Sequence, residues 1–423
     1  MFKSDIINKA NYLFGVFMSK VVVVGGGAAG MFAAYGAALN GKNVVLFEKN
    51  EKLGKKIYIT GKGRCNLTAN VLNNEFFQAV ISNPKFVYSA INNFCPQDTI
   101  NFFENYGLKL KTERGNRVFP LSDKASDVTK TLEKVIVSLG VDVRLNTTVK
   151  GLKVQDNRVV GVITSDYDID CDSVIICTGG ISYPLTGSCG DGYSFAKSVG
   201  HNIVDLRSAL VGIELCGHDF IEMQGLSLKN VSLSATINGK TVYSEFGEML
   251  FTHYGISGPI VLSCSSIINR KNLSEVTISI DLKPALDFDT LTARLIREFK
   301  ENNVKSISNA VRSLLPKTLI NCVLSRAQIN PNKKCCEISV TERNRLIETL
   351  KNLKFDVKKL RPIEEAIVTS GGVDVKEVNP KTMQSKLVNG LYFAGEVLDI
   401  DAFTGGYNLQ LAFSTGYAAG VNC

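Results

Sequence analysis

A chain of 423 residues, 45% hydrophobic and 21% charged, has the composition of an ordinary globular protein, which excludes a disordered, collagen-like or low-complexity chain. The formal net charge of +8 is uneven, because the segment from Arg294 to Arg361 holds 16 Lys or Arg and 6 Asp or Glu. The 11 cysteines include no CxxC pair, which favours reduced thiols and a cytoplasmic location over a disulfide framework.

The N-terminal region reads as an extension followed by a strand, a glycine turn and a helix. Residues 1–17 contain only a short apolar patch and are interpreted as an extension outside the fold, with Met18 as a natural start. Residues 21–39 carry no charge, as a membrane span would. The glycines inside this stretch favour a strand over Lys20–Val24 and a helix over Ala28–Leu39 instead, and no membrane contact is expected.

The turn between this strand and this helix carries a GxGxxG motif with glycines at 25, 27 and 30. Gly25 permits the tight turn, Gly27 lets a pyrophosphate approach the backbone, and Gly30 lets the helix pack on the strand. A second strand, Asn43–Phe47, leads into Glu48, whose carboxylate can accept both ribose hydroxyls of an adenosine. The pattern predicts a dinucleotide-binding unit and leaves NAD and FAD open.

Further along the chain, strands and helices alternate up to about residue 205. Residues 173–177 read as a strand that ends in Thr178 and Gly179, where the chain crosses beside the adenosine end of a cofactor. Short strands follow, the pattern is mostly helical from Phe288, and the α/β pattern returns near Arg361. We predict a discontinuous α/β domain over 18–205 and 355–423, interrupted by an insert domain over 206–354 that is β-rich over 206–285 and mainly helical over 286–354.

The C-terminal stretch favours FAD over NAD. Residues 390–396 read as a strand that runs into Glu396, an acidic residue expected where the ribityl chain of a flavin meets a carboxylate. Gly405 and Gly406 then open a helix from Asn408. The N–H groups at the start of this helix face the N1/C2=O edge of an isoalloxazine and favour negative charge there.

Six stretches together resemble the BaiN/YhiN-like family of FAD-dependent oxidoreductases, which includes aminoacetone-oxidase-like flavoproteins. They are VVVVGGGAAG, GKGRCNLT, FPLSDKASDV, TGGISYPLTGSCGDGY, FTHYGISGP and GEVLDIDAFTGGYNLQLAFSTGYAAG. The resemblance runs from about Met18 to the C-terminus. It implies non-covalent FAD in a Rossmann-like domain of the glutathione-reductase and fumarate-reductase type, interrupted by a mixed β-rich and helical insert.

The motifs and the resemblance together give a set of residues expected to bind FAD. The glycine turn would hold the pyrophosphate, Glu48 the ribose, and the backbone of Val149 the adenine, while Glu396 would contact the ribityl-flavin end. The full set is Gly25, Gly27, Ala28, Ala29, Gly30, Glu48, Lys49, Lys56, Gly63, Arg64, Cys65, Asn66, Val149, Thr178, Gly179, Gly395, Glu396, Asp401, Asn408 and Leu409.

Cys65, in the stretch TGKGRCNLT over residues 60–68, can be read as a catalytic thiol, a metal ligand or part of a cofactor loop. The sequence has no His, Cys and carboxylate cluster with ligand spacing, so no metal site is predicted. We favour the cofactor loop. In it, Arg64 and nearby backbone N–H groups contact the pyrophosphate or the flavin, and Asn66 fixes the turn.

The flavin itself accepts or donates the hydride, so the protein mainly has to position the substrate and to donate or accept a proton, and a protein nucleophile is not required. The candidate proton donors or acceptors are His253, Tyr183 and Tyr254. We predict hydride transfer to or from a small organic substrate by an enone reductase, with NADH or NADPH as the transient electron donor. A flavin-dependent amine oxidase is the alternative.

The basic segment, residues 294–361, is interpreted as the solvated outer face of a helical subdomain, because no recognition motif accompanies its charge. Nucleic acid is therefore not the expected partner. The alternative from another class is a flavin-containing redox-sensing protein, or one that docks on nucleic acid through this segment.

Overall fold

The computed structural model describes residues 19–423, so the predicted extension over residues 1–17 and the start at Met18 lie outside the described residues. The chain forms two compact units. The first comprises residues 19–207 together with Val368–Cys423, and the second comprises Ser208–Ile367.

The strands and helices of the described residues are numbered in chain order. The strands are β1 Lys20–Val24, β2 Asn43–Phe47, β3 Thr68–Ala69, β4 Leu110–Glu113, β5 Arg117–Pro120, β6 Asp142–Arg144, β7 Val149–Gln155, β8 Arg158–Thr164, β9 Asp168–Asp170, β10 Ser173–Ile176, β11 Ile203–Ala209, β12 Ile213–Leu215, β13 Ser227–Ile237, β14 Lys240–Thr252, β15 Gly255–Ser257, β16 Val276–Asp281, β17 Leu353–Leu360, β18 Val368–Val373 and β19 Leu391–Phe393. The α-helices are α1 Ala28–Leu39, α2 Asn73–Gln78, α3 Tyr88–Asn93, α4 Pro96–Asn105, α5 Ala125–Ser138, α6 Asp191–Ser198, α7 Pro259–Ile268, α8 Phe288–Glu301, α9 Ile307–Ala310, α10 Lys317–Arg326, α11 Val340–Lys351 and α12 Tyr407–Asn422.

The first unit is built on a five-stranded parallel sheet in the order β19-β10-β1-β2-β6. Its central strand β1 is covered on both faces, so all of Val21–Val24 are buried. Strands of this kind are apolar throughout. This is why the sequence there resembles a membrane span. The sheet confirms the predicted Rossmann-like α/β class. Its parallel order brings the residues that follow four strands, Gly25, Glu48, Thr178 and Gly395, to the same edge.

Helices α1 and α12 pack along each other within the first unit. Their backbones approach closely because glycines face carbonyl groups. A Cβ atom built on Gly416 would lie 2.2 Å from the carbonyl oxygen of Ala29, and one built on Gly420 would lie 2.2 Å from that of Ala33. The contact therefore requires glycine at positions 416 and 420.

The second unit contains a closed barrel in the order β12-β15-β14-β13-β16-β17. Helices α8 to α11 lie between β16 and β17 in the chain and share the buried core of the barrel. Leu233, Phe251 and Ile278 belong to its buried core. Strand β17 pairs with both β12 and β16 and so completes the barrel. The unit consequently continues to Ile367, beyond the domain end at residue 354 that the sequence suggested.

His201 is a buried structural link in the first unit. Its Nδ1 lies 3.1 Å from Glu377 Oε2, and its Nε2 lies 2.7 Å from Ser385 Oγ. The same Ser385 oxygen accepts the N–H groups of Leu387 and Val388. The Ser385 hydroxyl therefore donates to a neutral imidazole. Burial lowers the pKa of His201, although the Glu377 carboxylate opposes that shift.

Because the folded protein resists protonation of His201, stability should fall in acid. An unfolded histidine takes up a proton near pH ~6.5, so the free energy of unfolding is expected to decrease as the pH drops below that value. His201→Gln should cost about 1–3 kcal/mol near neutral pH and flatten this pH dependence. Urea unfolding at several pH values measures both effects. The exposed His218→Gln is the matched control, and an unchanged pH dependence in His201→Gln would contradict the assignment.

Candidate functional site

The first glycine turn, after β1, has room only for glycine at two positions. Gly25 has φ +102°, and a Cβ atom built on it would lie 2.6 Å from the carbonyl oxygen of Cys177. A Cβ atom on Gly30 would lie 1.8 Å from the carbonyl oxygen of Gly25. These contacts bring the start of α1 against the ends of β1 and β10.

The N-terminus of α1 is open. Gly27 is its N-cap, and among the described residues no side chain caps the helix and no acidic residue lies in its first turn. A Cβ atom on Gly27 would meet no described atom within 4 Å. The free N–H groups of Ala28 and Ala29 and the positive end of the helix thus border empty space, and this arrangement fits a pyrophosphate.

The Glu48 carboxylate is fixed beside this turn. Its Oε2 accepts the N–H of Gly26 at 2.8 Å, and its Oε1 accepts the backbone and side-chain N–H groups of Asn50 at 2.8 and 2.7 Å. Oε2 therefore retains a lone pair for a ribose hydroxyl, whereas Asn50 occupies both lone pairs of Oε1. Lys49 points elsewhere, because its ammonium lies 2.6 Å from the Asp191 carboxylate.

Two buried polar atoms of the expected FAD-binding set, Asn66 Oδ1 and Thr178 Oγ1, have no hydrogen-bond partner within the described part of the chain. Buried polar atoms are normally paired, so these two suit a site completed by a group that the polypeptide does not supply. Thr178 and Gly179 follow β10 at the same sheet edge as Glu48. Val149, the first residue of β7, is buried, and its contact with adenine stays a prediction.

The second glycine turn precedes α12. Gly406 is the N-cap at φ +99°, and a Cβ atom on it would lie 2.5 Å from the carbonyl carbon of Thr68. Asn408, expected at the flavin, instead uses its side chain to hold the preceding loop. Its Oδ1 accepts the N–H of Ala402 at 2.9 Å, and its Nδ2 donates to the carbonyls of Ala402 and Phe403. Only the backbone of Asn408 remains for a flavin.

Two other residues expected at the ribityl-flavin end are also engaged by the protein. Asp401 is fully buried, and its Oδ1 accepts the hydroxyl of Ser370 at 3.1 Å. The N–H of Gly395, which has φ +77°, donates to Thr415 Oγ1 at 2.9 Å. Leu409 is half-buried in the first turn of α12.

Lys56 and Glu396 form one polar cluster, although 340 positions separate them. The Lys56 ammonium lies 2.7 Å from Glu396 Oε2 and 2.6 Å from Ser182 Oγ. Glu396 Oε1 accepts the N–H of Thr369 at 2.8 Å. Sequence reasoning missed Ser182 and Thr369. Ser182 lies within the motif TGGISYPLTGSCGDGY, whereas no motif marks Thr369.

The guanidinium of Arg64 is not free for a pyrophosphate. It pairs with the carboxylates of Glu113 and Asp123, with Nε 2.8 Å from Asp123 Oδ1, and lies 4.1 Å from the ring centroid of Phe119. The charge of Arg64, which was expected to contact the cofactor, is therefore paired with carboxylates of the protein. In the structure Arg64 anchors its loop to β4 and β5, while the neighbouring Gly63 is exposed.

Cys65 is fully buried. Burial raises the pKa of its thiol to about 12, which favours the protonated thiol at neutral pH over a thiolate nucleophile or metal ligand. Its backbone lies in the left-handed region at φ +61°. The geometry fits a residue that shapes the cofactor loop.

The candidate proton donors lie in both units. In the second unit, exposed His253 contacts the ring of Tyr254, with 5.0 Å between ring centroids, and the Arg361 guanidinium lies 4.7 Å from the Tyr254 centroid. In the first unit, Tyr183 has φ +50° at the start of a short 3-10 turn. Their roles in proton transfer stay predictions.

Two features are absent from residues 19–423. No group of three or more His, Cys, Asp or Glu side chains in that range could hold a metal ion. None of the helices there is both long and apolar enough to cross a membrane.

The family model of the HI0933-like protein Rossmann domain matches residues 19–422. The 3-dehydro-bile acid delta(4,6)-reductase of Clostridium scindens is 31% identical over 408 residues, which cover 95% of this chain and 98% of that protein. The ribosomal RNA dihydrouridine synthase of Escherichia coli is 31% identical over 397 residues, which cover 94% of this chain and 96% of that protein.

A solved structure shares the fold. The 3-ketosteroid-delta4-(5alpha)-dehydrogenase of Rhodococcus jostii RHA1 matches with a TM-score of 0.50 and 15% identity, over 96% of this chain and 97% of that one. At that identity the likeness concerns the fold alone.

Gly27→Ala should separate cofactor binding from stability. Because the new methyl group meets no described atom within 4 Å, the stability of the FAD-free protein should change by less than about 0.5 kcal/mol. FAD affinity should fall about tenfold or more, because the methyl enters the space through which a pyrophosphate approaches. Titration with FAD, followed by flavin fluorescence, measures the loss. Gly151→Ala, whose nearest contact would be 3.7 Å, is the control. Unchanged FAD affinity in Gly27→Ala would refute the pyrophosphate assignment.

Cys65 and Arg64 should differ in their effect on FAD content. Cys65→Ser is expected to retain bound FAD, because the buried thiol carries no charge to lose. Arg64→Ala should lower FAD content several-fold, because it frees the loop from Glu113 and Asp123. The ratio of flavin to protein absorbance after purification measures both.

The exposed Arg114→Ala, which removes the same charge, is the control for Arg64→Ala. Equal loss of FAD in Cys65→Ser and Arg64→Ala would show that the thiol itself matters.

Proposed function

Because the chain belongs to the HI0933-like family of FAD-dependent oxidoreductases, we propose that it reduces a carbon–carbon double bond conjugated to a carbonyl group. Membership confirms the BaiN/YhiN-like resemblance, the oxidoreductase class and FAD as the cofactor. The substrate is the proposed part.

The observation that carries the proposal is a full-length similarity to proteins named for two such reductions. One name describes a reductase of double bonds at positions 4 and 6 of a 3-dehydro bile acid, and the other a synthase of dihydrouridine in ribosomal RNA. A 3-oxo steroid with a 4,6-diene and the uracil ring both place a carbonyl next to the double bond. The shared element is therefore an electron-poor alkene.

FAD, once bound and reduced, would supply a hydride to such an alkene at the carbon remote from the carbonyl. The chain must then hold the cofactor and donate one proton. The uncapped N-termini of α1 and α12 favour negative charge on the pyrophosphate and at the flavin. The proton for the carbon next to the carbonyl is proposed to come from Tyr183, His253 or Tyr254.

NADH or NADPH is proposed as the electron donor. The alternative of a flavin-dependent amine oxidase would draw electrons from an amine and pass them to O₂. The chain is similar over its full length to two proteins whose names describe reductions, and this similarity favours the reductase.

Anaerobic flavin spectroscopy tests the proposal. NADH or NADPH should bleach the flavin of the holoenzyme. A 3-oxo-4-ene steroid should then restore the flavin absorbance at a rate more than about tenfold higher than the rate with the matched saturated 3-oxo steroid. Bleaching by an amine, together with return of absorbance only on admission of O₂, would replace the reductase with the oxidase.

A further inference from the structure

The Lys56–Glu396 ion pair of the first unit is held in place by a closed set of hydrogen bonds. The Lys56 ammonium, which lies 2.7 Å from Glu396 Oε2, also donates to Ser182 Oγ at 2.6 Å. The fully buried Ser182 hydroxyl donates in turn to Glu396 Oε1 at 3.0 Å. Glu396 Oε1 also accepts the N–H of Thr369 at 2.8 Å. Four segments of the chain therefore fix the two charges.

The turn after β10 packs directly on the Glu396 carboxylate. A Cβ atom built on Gly180 would lie 2.3 Å from Thr369 Oγ1 and 3.0 Å from Glu396 Oε1. Thr369 Oγ1 accepts the N–H groups of Ile181 and Ser182 at 2.9 and 3.2 Å. Because the backbone around the carboxylate is fixed in this way, removal of one charge of the pair should leave the other in position.

The pair keeps one open side. The side chains of Lys56 and Glu396 are 22% and 16% exposed. An ammonium has three N–H donors, and each carboxylate oxygen has two lone pairs. One N–H of Lys56 and one lone pair of Glu396 Oε2 are therefore not used by any residue that the structure describes. Both charges act on a group that lies against this open side.

The order of the parallel sheet relates the pair to the two halves of a dinucleotide. Glu48, expected at the adenosine ribose, follows β2, and the pyrophosphate turn follows β1, in a sheet of order β19-β10-β1-β2-β6. A dinucleotide that runs from β2 to β1 along this edge continues across β10 to β19. Thr178, with its buried and unpaired Oγ1, follows β10, and Glu396 follows β19. The pair thus lies on the side of the flavin half.

We propose that the Lys56–Glu396 pair sets the reduction potential of the FAD that this protein binds. NADH or NADPH gives up a hydride and leaves as NAD⁺ or NADP⁺, and FAD gains two electrons and one proton. The reduced flavin consequently carries one more negative charge than the oxidised flavin. The positive charge of Lys56 favours the reduced flavin, and the negative charge of Glu396 opposes it. Together they hold the potential between the values that either charge alone would give.

Anaerobic titration of the holoenzyme with dithionite, in the presence of a dye of known potential, tests the pair and requires neither NADPH nor an alkene. In Lys56→Met, the equilibrium constant for flavin reduction should fall about tenfold, which lowers the potential of a two-electron couple by about 30 mV. In Glu396→Gln the same constant should rise about tenfold. A merely structural role of the pair would not shift the two variants in opposite directions.

Lys55→Met is the matched control, because the Lys55 ammonium lies 3.1 Å from the carboxylate of the exposed Glu51. It removes the same charge from the neighbouring position and should leave the potential unchanged. The double variant Lys56→Met, Glu396→Gln should return to within about threefold of the wild-type equilibrium constant. Shifts of the same sign in the two single variants, or no shift in either, overturn the proposal. So does a shift in Lys55→Met as large as that in Lys56→Met.

Flavin content and melting temperature establish that each variant is folded and holds FAD. If Lys56→Met does not retain FAD, Glu396→Gln and the charge-conserving Lys56→Arg decide the outcome. A raised potential in Glu396→Gln together with an unchanged potential in Lys56→Arg supports the pair. Any other combination of these two results overturns it.

The potential and the steroid assay together separate this proposal from the proposed function. Opposite shifts of potential without reoxidation by the steroid enone support the pair and count against the enone substrate. Reoxidation by the steroid enone without opposite shifts supports the reductase and refutes the pair.

Discussion

The close backbone contact between α1 and α12 is the constraint on which the cofactor site depends. Gly416 and Gly420 face the carbonyls of Ala29 and Ala33 at distances that exclude any side chain. The contact joins two segments nearly 400 positions apart in sequence, and each of the two helices begins at an uncapped glycine. Loss of the contact would separate the two positive helix ends that favour a bound dinucleotide.

A buried polar network fixes how α12 meets the rest of the first unit. Gln410 Oε1 accepts the hydroxyls of Thr68 and Thr99, each at 2.7 Å, and its Nε2 donates to Ser414 Oγ and to the carbonyl of Phe94. Such a network is stable only when every member is paired. It therefore permits one position of α12 along its axis, and with it one position of the Gly406 turn.

Local chemistry explains which features the sequence could predict. The glycines of the first turn, the apolar run of β1 and the carboxylate of Glu48 each have a short-range signature. The partners of Arg64 could not be predicted, because Glu113 and Asp123 reach it only when β4 and β5 form. The Lys56–Glu396 pair and the barrel closure by β17 likewise depend on segments far apart in sequence. The insert boundary was misplaced for that reason, since the periodicity of β17 does not reveal which sheet it joins.

The glycine turns and the exposed side chains differ in how freely they can change. The cofactor turns require glycine, because a Cβ atom on Gly30, Gly406 or Gly416 would overlap the backbone. An exposed cation such as Lys305 has no such requirement, and its replacement costs little stability. Two relatives that are each 31% identical to this chain are named as a bile acid reductase and as an RNA-modifying enzyme. Members of one family can therefore keep the glycine turns and still differ in substrate. Substrate choice is accordingly not to be sought in the glycine turns.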